Sequence, residues 1–271
     1  MLLDYPAGAG GEPAGFIVSM KPNFKTVDES SHLSIETLGD YTTCDDTASL
    51  TETEDNIGLH EHCLGVGRWA REFAVRCGLP AALINDLEIA GQLHDFGKAD
   101  WRMQLWLYGG DEIRAARNDY QLIAKSKEMS ANDRAAMERA RQKADYPKGT
   151  RHEFLSVALA DSSNQLFAGV HDPELVRHLV GTHHGYARPF APVVCDNGIE
   201  VSLKDHNEVT LTANSRHGLD RLDSGWVEQF WRLVSRYGPW GLAYLETLLR
   251  LADYARSGEE QNNGKSSTKR A

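Results

Sequence analysis

Residues 80–98 read "PAALINDLEIAGQLHDFGK". Pro80 pre-sets the backbone angle of a first helical turn. Leu83, Leu87, Ala90 and His94 then recur at three- and four-residue spacing, which is one face of a helix. Gly97 is placed to end it. The face is apolar until its last member, a histidine with Asp95 beside it, and Lys98 follows. Two metal-competent side chains at the end of an apolar face serve either packing or ligation. One His-Asp pair does not decide which, because the two residues often meet by chance. Other ligands must arrive from elsewhere in the chain.

The flanking sequence is helical nearly throughout. Leu59, His62, Val66, Trp69, Ala70 and Phe73 form one stripe, predicting a helix over about 57–77. Charged helices are expected over about 111–127 and 131–144. Thr150 and Glu153 stand at capping-box spacing and predict a helix through Leu159. Asp172 and Pro173 start another, with Val176, Leu179, Val180 and His183 on one face and Gly185 after it. The stretch "VVCDNGIEVSLKDHNEVTLTA" (193–213) holds an Asn-Gly turn signal and alternating β-branched residues, so a small hairpin is expected there. Two last helices cover about 224–237 and 239–256. The expected fold class is all-α, a helical bundle over residues 56–257 with a small inserted β-hairpin.

Both ends read differently. Residues 1–55 are rich in Gly, Ser, Thr and acids without sustained periodicity, and predict an acidic low-complexity tail or linker with a short extended piece at 15–20. Residues 258–271 read as a polar C-terminal tail. Residues 1–55 hold eleven acidic side chains against two lysines, a net charge of −9; the rest holds 28 acidic against 27 basic, a net of −1. A neutral body is not a free-standing duplex-DNA binder of the strongly basic kind. No run of 18 apolar residues exists, and the N-terminus lacks a basic stretch before an apolar one. A cytoplasmic protein with neither signal peptide nor membrane span is expected. Four cysteines without C-x-x-C spacing read as reduced thiols.

The inward stripes carry more metal-competent groups than packing explains. His62 lies within the first stripe, whereas His60 points about 160° away. His152 falls in the first turn of its helix, on the side of Ser156 and Leu159. His183 closes an apolar face with His184 adjacent, and Asp253 lies near the inner face of the last helix. Taken singly, each has a plain reading. A lone histidine on an apolar stripe is usually hydrogen-bonded in the core, Asp253 could pair with an arginine, Glu153 could be a cap and Lys98 a solvated lysine. Jointly, five histidines and two aspartates at inward positions are harder to dismiss. Buried imidazoles without partners are costly, and shared metals satisfy all of them.

At this point the chain resembles a family. His62, then His94-Asp95, then a distant Asp253 is similar to the signature of HD-domain metal phosphohydrolases. "LHDFGKADWRMQ", "TRHEFLS" and "THHG" together resemble the HD nuclease of type I CRISPR systems, closest to the type I-G (I-U) branch through "THHGYARPFAPVV". The likeness covers about residues 57–257, with Met103 standing where an aromatic is usual. It implies two divalent transition-metal ions (iron, manganese, cobalt, nickel or zinc, with magnesium also allowed). Asp95 would bridge them. His62, His94 and Asp253 would complete one site, and His152, His183 and His184 the other. Lys98 would act beside the pair on a phosphate or the attacking water. The implied activity is hydrolysis of single-stranded DNA in CRISPR interference, with a helicase and a guide-RNA surveillance complex as partners.

Two other functions compete. An HD-type phosphohydrolase acting on nucleotides or cyclic nucleotides often needs fewer histidines; the double histidine and R-H-E argue against it. A non-catalytic scaffold would be free to lose ligands, and here all are present. No G-x-x-x-x-G-K-[ST] loop occurs, so the implied helicase is a separate chain or another part of a longer polypeptide.

Overall fold

A computed structural model describes residues 56–117, 121–127 and 133–267. The acidic segment 1–55 and its extended piece at 15–20 lie outside the described residues. The described chain is mostly helical, with two small two-stranded antiparallel sheets.

Helix α1 (Leu59–Arg76) buries Leu59, His62, Cys63, Val66, Ala70 and Ala74, the three-to-four spacing of an amphipathic helix. Gly78, at φ +71°, ends it: its N–H bonds to the Val75 carbonyl and the Leu79 N–H to that of Ala74. Helix α2 (Ala81–Leu93) starts after Pro80 and packs along α1. The two approach closely at Gly91, where a Cβ would lie 2.8 Å from the Gly67 backbone. The chain then turns through His94 and Asp95 into a 3-10 turn, Phe96–Ala99. Gly97 therefore sits inside that turn instead of ending α2.

Helix α3 (Trp101–Leu107) is capped by Asp100, which accepts from the Arg102 N–H. Beyond it the expected helix over 111–127 is only α4 (Glu112–Arg117), followed by strand β2 (Ile123–Lys125). This strand pairs antiparallel with β1 (Ile57–Gly58). A pairing partner 65 residues away in sequence at the Gly58–Ile123 end outweighs the local helical tendency. Helix α5 (Arg134–Lys143) packs on α3 in a second apolar cluster with Trp106 and Tyr146.

Helix α6 (His152–Asp161) follows Arg151, and its N-terminus has no side-chain cap. The capping box expected from Thr150 and Glu153 does not form: the Thr150 hydroxyl is buried without a hydrogen-bond partner, and Glu153 is buried beside His152. Helix α7 (Pro173–Thr182) begins as its sequence predicts, with the Asp172 carboxylate accepting from the Leu175 N–H and Pro173 in the first turn.

The inserted hairpin is β3 (Glu200–Lys204) and β4 (Thr210–Asn214), in register Glu200↔Asn214 to Lys204↔Thr210. Its reversal is not at Asn197-Gly198. The Asp205 carboxylate accepts from the N–H groups of Asn207 and Val209 and makes the turn. Val201, Leu203 and Leu211 face the core, and β4 packs on α6.

Helix α8 (Trp226–Ser267) breaks at Gly238, φ +69°, before Pro239. Its second arm packs along α1 and continues through residues 258–267, where a polar tail is expected from sequence. Glu260 on that arm is buried. No helix among the described residues is long and apolar enough to cross a membrane.

Candidate metal centre

All seven residues singled out as ligands come together around Asp95. The two oxygens of that carboxylate face different sets of donors. Oδ2 lies 3.3 Å from His94 Nε2 and 3.6 Å from His62 Nε2, and His62 Nε2 is in turn 3.3 Å from Asp253 Oδ1. Oδ1 lies 3.0 Å from His152 Nε2 and 3.6 Å from His183 Nε2. The His184 ring centroid is 4.2 Å from that of His183 and 5.1 Å from that of His152. Donor atoms of Asp95, His152, His183 and His184 lie within 4.8 Å of one another, as do those of His62, His94 and Asp95.

The local folding explains the ring orientations. His94 and His183 cap the C-termini of α2 and α7. Carbonyls in a last helical turn lack intrahelical partners. Each ring uses one: His94 Nδ1–H donates to the Gly91 carbonyl at 2.7 Å, and His183 Nδ1–H to the Val180 carbonyl at 2.7 Å. Both rings are thereby fixed with Nε2 turned inward. His152 is carried by α6, which is pressed against the 3-10 turn. There Gly97 N–H donates to the Ser156 hydroxyl at 2.7 Å, and a Cβ on residue 97 would run into the His152 carbonyl. Gly97 is thus a close-approach position joining the two halves of the centre.

Buried cations match the buried acids. Lys98 Nζ donates to Asp95 Oδ2 at 2.6 Å and to the Ala124 carbonyl at 3.3 Å. Lys125, delivered by β2, lies 3.1 Å from Glu260 Oε2 and also contacts the Ser257 hydroxyl. Arg256 Nε is 2.8 Å from Glu260 Oε1. Glu260 Oε1 accepts from His62 Nδ1 at 2.9 Å. Asp95, Asp253 and Glu260 are therefore faced by Lys98, Lys125 and Arg256.

Titration follows from these neighbours. Burial alone would push the Asp95 carboxyl up; the neighbouring His94 and Lys98, with the His152 and His183 rings, reverse this and hold it well below the usual carboxylate range. Asp253 is likewise held well below that range, with His62 overcoming burial. For Glu260, burial is outweighed by His62 and Lys125, which bring the carboxyl down to about 2. The His184 ring is pushed well below its ordinary value by burial and by His183 and His152, and His152 is lowered mainly by burial. Neutral rings with free lone pairs are the form that binds metals.

The donor set fits metal ions on one further observation. The Nε2 atoms of His62, His94, His183 and His184 are buried and have no hydrogen-bond partner. Leaving one such group unpaired costs about 1–3 kcal/mol, and four converging ones could be satisfied together by metal ions that accept their lone pairs. The side chain of Asp253 is 20% exposed while His62 and Asp95 are at 1% and 2%, so solvent reaches the centre on the α8 side. His60 stands apart: it is half-buried and meets the edge of Phe96 at 6.1 Å.

Sequence reasoning missed Glu260, Lys125 and Arg256. One signal for Glu260 was present: it lies seven residues after Asp253, two turns along the same face of one helix. Lys125 carried no such signal, because β2 exists only through its pairing with β1. Compared with known protein families, curated proteins and solved structures, the chain has no match.

Proposed function

We propose that this chain is a metal-dependent phosphodiesterase of the HD type that hydrolyses single-stranded DNA, serving CRISPR interference in the cytoplasm beside a helicase and a guide-RNA complex. The observation that carries this reading is the divided Asp95 carboxylate, with an imidazole set on each oxygen. His62, His94, Asp95 and Asp253 would hold one divalent ion, and Asp95, His152, His183 and His184 the other. Bound there, the pair would supply an activated water and neutralise a phosphodiester under attack. Imidazole-rich sets favour manganese, iron, cobalt, nickel or zinc over magnesium.

The protein's own contribution is orientation and exclusion of water. Backbone carbonyls of Gly91 and Val180 hold two rings with their Nε2 lone pairs inward. Lys98 helps keep the Asp95 carboxylate ionised, and its ammonium, beside that carboxylate, would be available to a scissile phosphate. The centre is sunk among helices, and a flexible strand reaches such a site more readily than a stiff duplex. The near-neutral charge of residues 56–271 offers few phosphate contacts with which to open a duplex.

The test is metal analysis of the purified chain, then cleavage assays with manganese, cobalt or nickel on linear single strands, blunt duplex and a preformed R-loop, with and without chelator. Single strands and the exposed strand of the R-loop should be cut without ATP, and duplex poorly. Equal cutting of duplex, or hydrolysis of mononucleotides alone, would replace this reading with the nucleotide phosphohydrolase.

A further inference from the structure

Three histidines of the centre direct Nε2 inward with Nδ1 engaged, but they do so in two ways. His94 and His183 stand at helix C-termini, where carbonyls of the last turn are free to accept. His62 is the fourth residue of α1. A first turn presents spare N–H groups, and its carbonyls already serve the next turn. No backbone acceptor is therefore at hand for His62 Nδ1, and its partner is the Glu260 carboxylate at 2.9 Å, 198 residues along the chain.

The surroundings of Glu260 hold it for this contact. Its side chain is 2% exposed, and a carboxylate so deeply buried persists only when paired. Lys125 stands 3.1 Å from Oε2 and Arg256 2.8 Å from Oε1. Gly65 on α1 leaves the path for Arg256, since a Cβ there would collide with the guanidinium. Arg256 also reaches Glu61 at 2.9 Å, which ties α8 to the first turn of α1 next to His62.

We propose that Glu260 is a positioning residue: by accepting the His62 Nδ1 proton it fixes that ring with Nε2 as the lone-pair donor toward Asp95 and Asp253. Lys125 and Arg256 hold Glu260 in turn. A carboxylate acceptor also raises the basicity of the ring more than a carbonyl does, so His62 is the stronger donor of its set. The inference rests on the metal-centre reading given above, and it assigns a function to the part of α8 beyond Asp253.

The experiment uses the full chain and three proteins: wild type, Glu260→Gln, and the charge-balanced double variant Glu260→Gln/Lys125→Met. Manganese is titrated into each by calorimetry, and nitrogen-15 histidine spectra of the metal-free proteins are recorded at a pH where the rings are neutral. In Glu260→Gln the ion held by His62, His94, Asp95 and Asp253 should bind about 10–100-fold more weakly, while the ion of the other set keeps its affinity. The His62 signal should change from one tautomer to a mixture. The double variant should regain thermal stability without regaining affinity. An unchanged His62 tautomer together with unchanged affinity would overturn the proposal, and so would an affinity loss that is restored along with stability. If the wild type takes up no manganese, the metal-centre reading fails, and the tautomer result alone then decides the role of Glu260.

Discussion

Two of the buried charge clusters among the described residues are built on different rules. Asp100, Arg102 and Asp196 form the first. Arg102 Nε and Nη2 reach the Asp100 carboxylate at 3.1 and 2.7 Å, and Nη1 and Nη2 reach Asp196 at 3.0 and 2.9 Å. None of its polar side-chain atoms is left buried without a hydrogen bond. The second cluster, around Asp95, leaves four inward Nε2 atoms unpartnered. A satisfied network is complete as it stands and serves to join α3 to the segment before β3. An unsatisfied one has donors left over that a metal ion could complete. Burial and charge are common to both, and hydrogen-bond completeness separates them.

The largest expected effect comes from the carboxylate that both donor sets share, one oxygen to each. Asp95→Ala should abolish binding of at least one ion and reduce DNA hydrolysis by on the order of 1000-fold, because it removes several kcal/mol of stabilisation from both sets. Calorimetric metal titration and a single-strand cleavage assay check this. A variant that kept both ions would erase the distinction between the two clusters.

Gly97→Ala should rank next. The new Cβ meets the His152 carbonyl, backbone against backbone, so α6 must move. A loss of about 1–3 kcal/mol is expected, together with weaker metal binding by His152 and its set. Thermal unfolding and metal titration read the two effects separately.

Asp196→Asn probes the satisfied cluster and should leave metal binding intact. The Arg102 guanidinium, aided by the Gly198 N–H and Ser215, depresses the Asp196 carboxyl to about 2. A carboxyl lowered in the folded state contributes stability that is present above its unfolded value of about 4 and is lost as pH falls toward about 2. Asp196→Asn should therefore cost about 1–2 kcal/mol at pH 7, allowing for solvent screening, with the difference from wild type shrinking through that acid window. A pH-independent difference would show that the ion pair is not its source.

His60→Ala should do least. Two residues from His62 but on another side of α1, it meets Phe96 and lines a cleft of about 920 Å³ that includes none of the seven ligands. Activity within about twofold of wild type is expected, the usual effect of a substitution outside core and site. Damage equal to that of His62→Ala would mean that the helix phase had been misread.

The helix phase was the part of the centre most legible in sequence. Apolar spacing separates His62 from His60 and brings His94 and His183 to the inward ends of their stripes, since a helix repeats every 3.6 residues wherever it packs. Asp172 and Pro173 mark the start of α7 for an equally local reason. Local signals failed at a helix start and at a hairpin turn. Thr150 and Glu153 have the spacing of a capping box, yet Glu153 is drawn beside His152 Nδ1 at 3.6 Å. Asn197-Gly198 resembles a hairpin turn, but Asp196 is held by Arg102 and the reversal falls at Asp205.

By itself, then, the sequence determined a helical chain with an inserted hairpin and the identity of seven inward metal-competent side chains, because helix phase and β alternation are properties of consecutive residues. Tertiary structure alone decided that these side chains divide between the two oxygens of Asp95. It alone placed Lys125 on a strand formed by pairing with Ile57–Gly58, and it carried α8 past residue 257 so that Glu260 reaches His62. Those contacts join residues far apart in the chain, and their free energy exists only once the helices have packed.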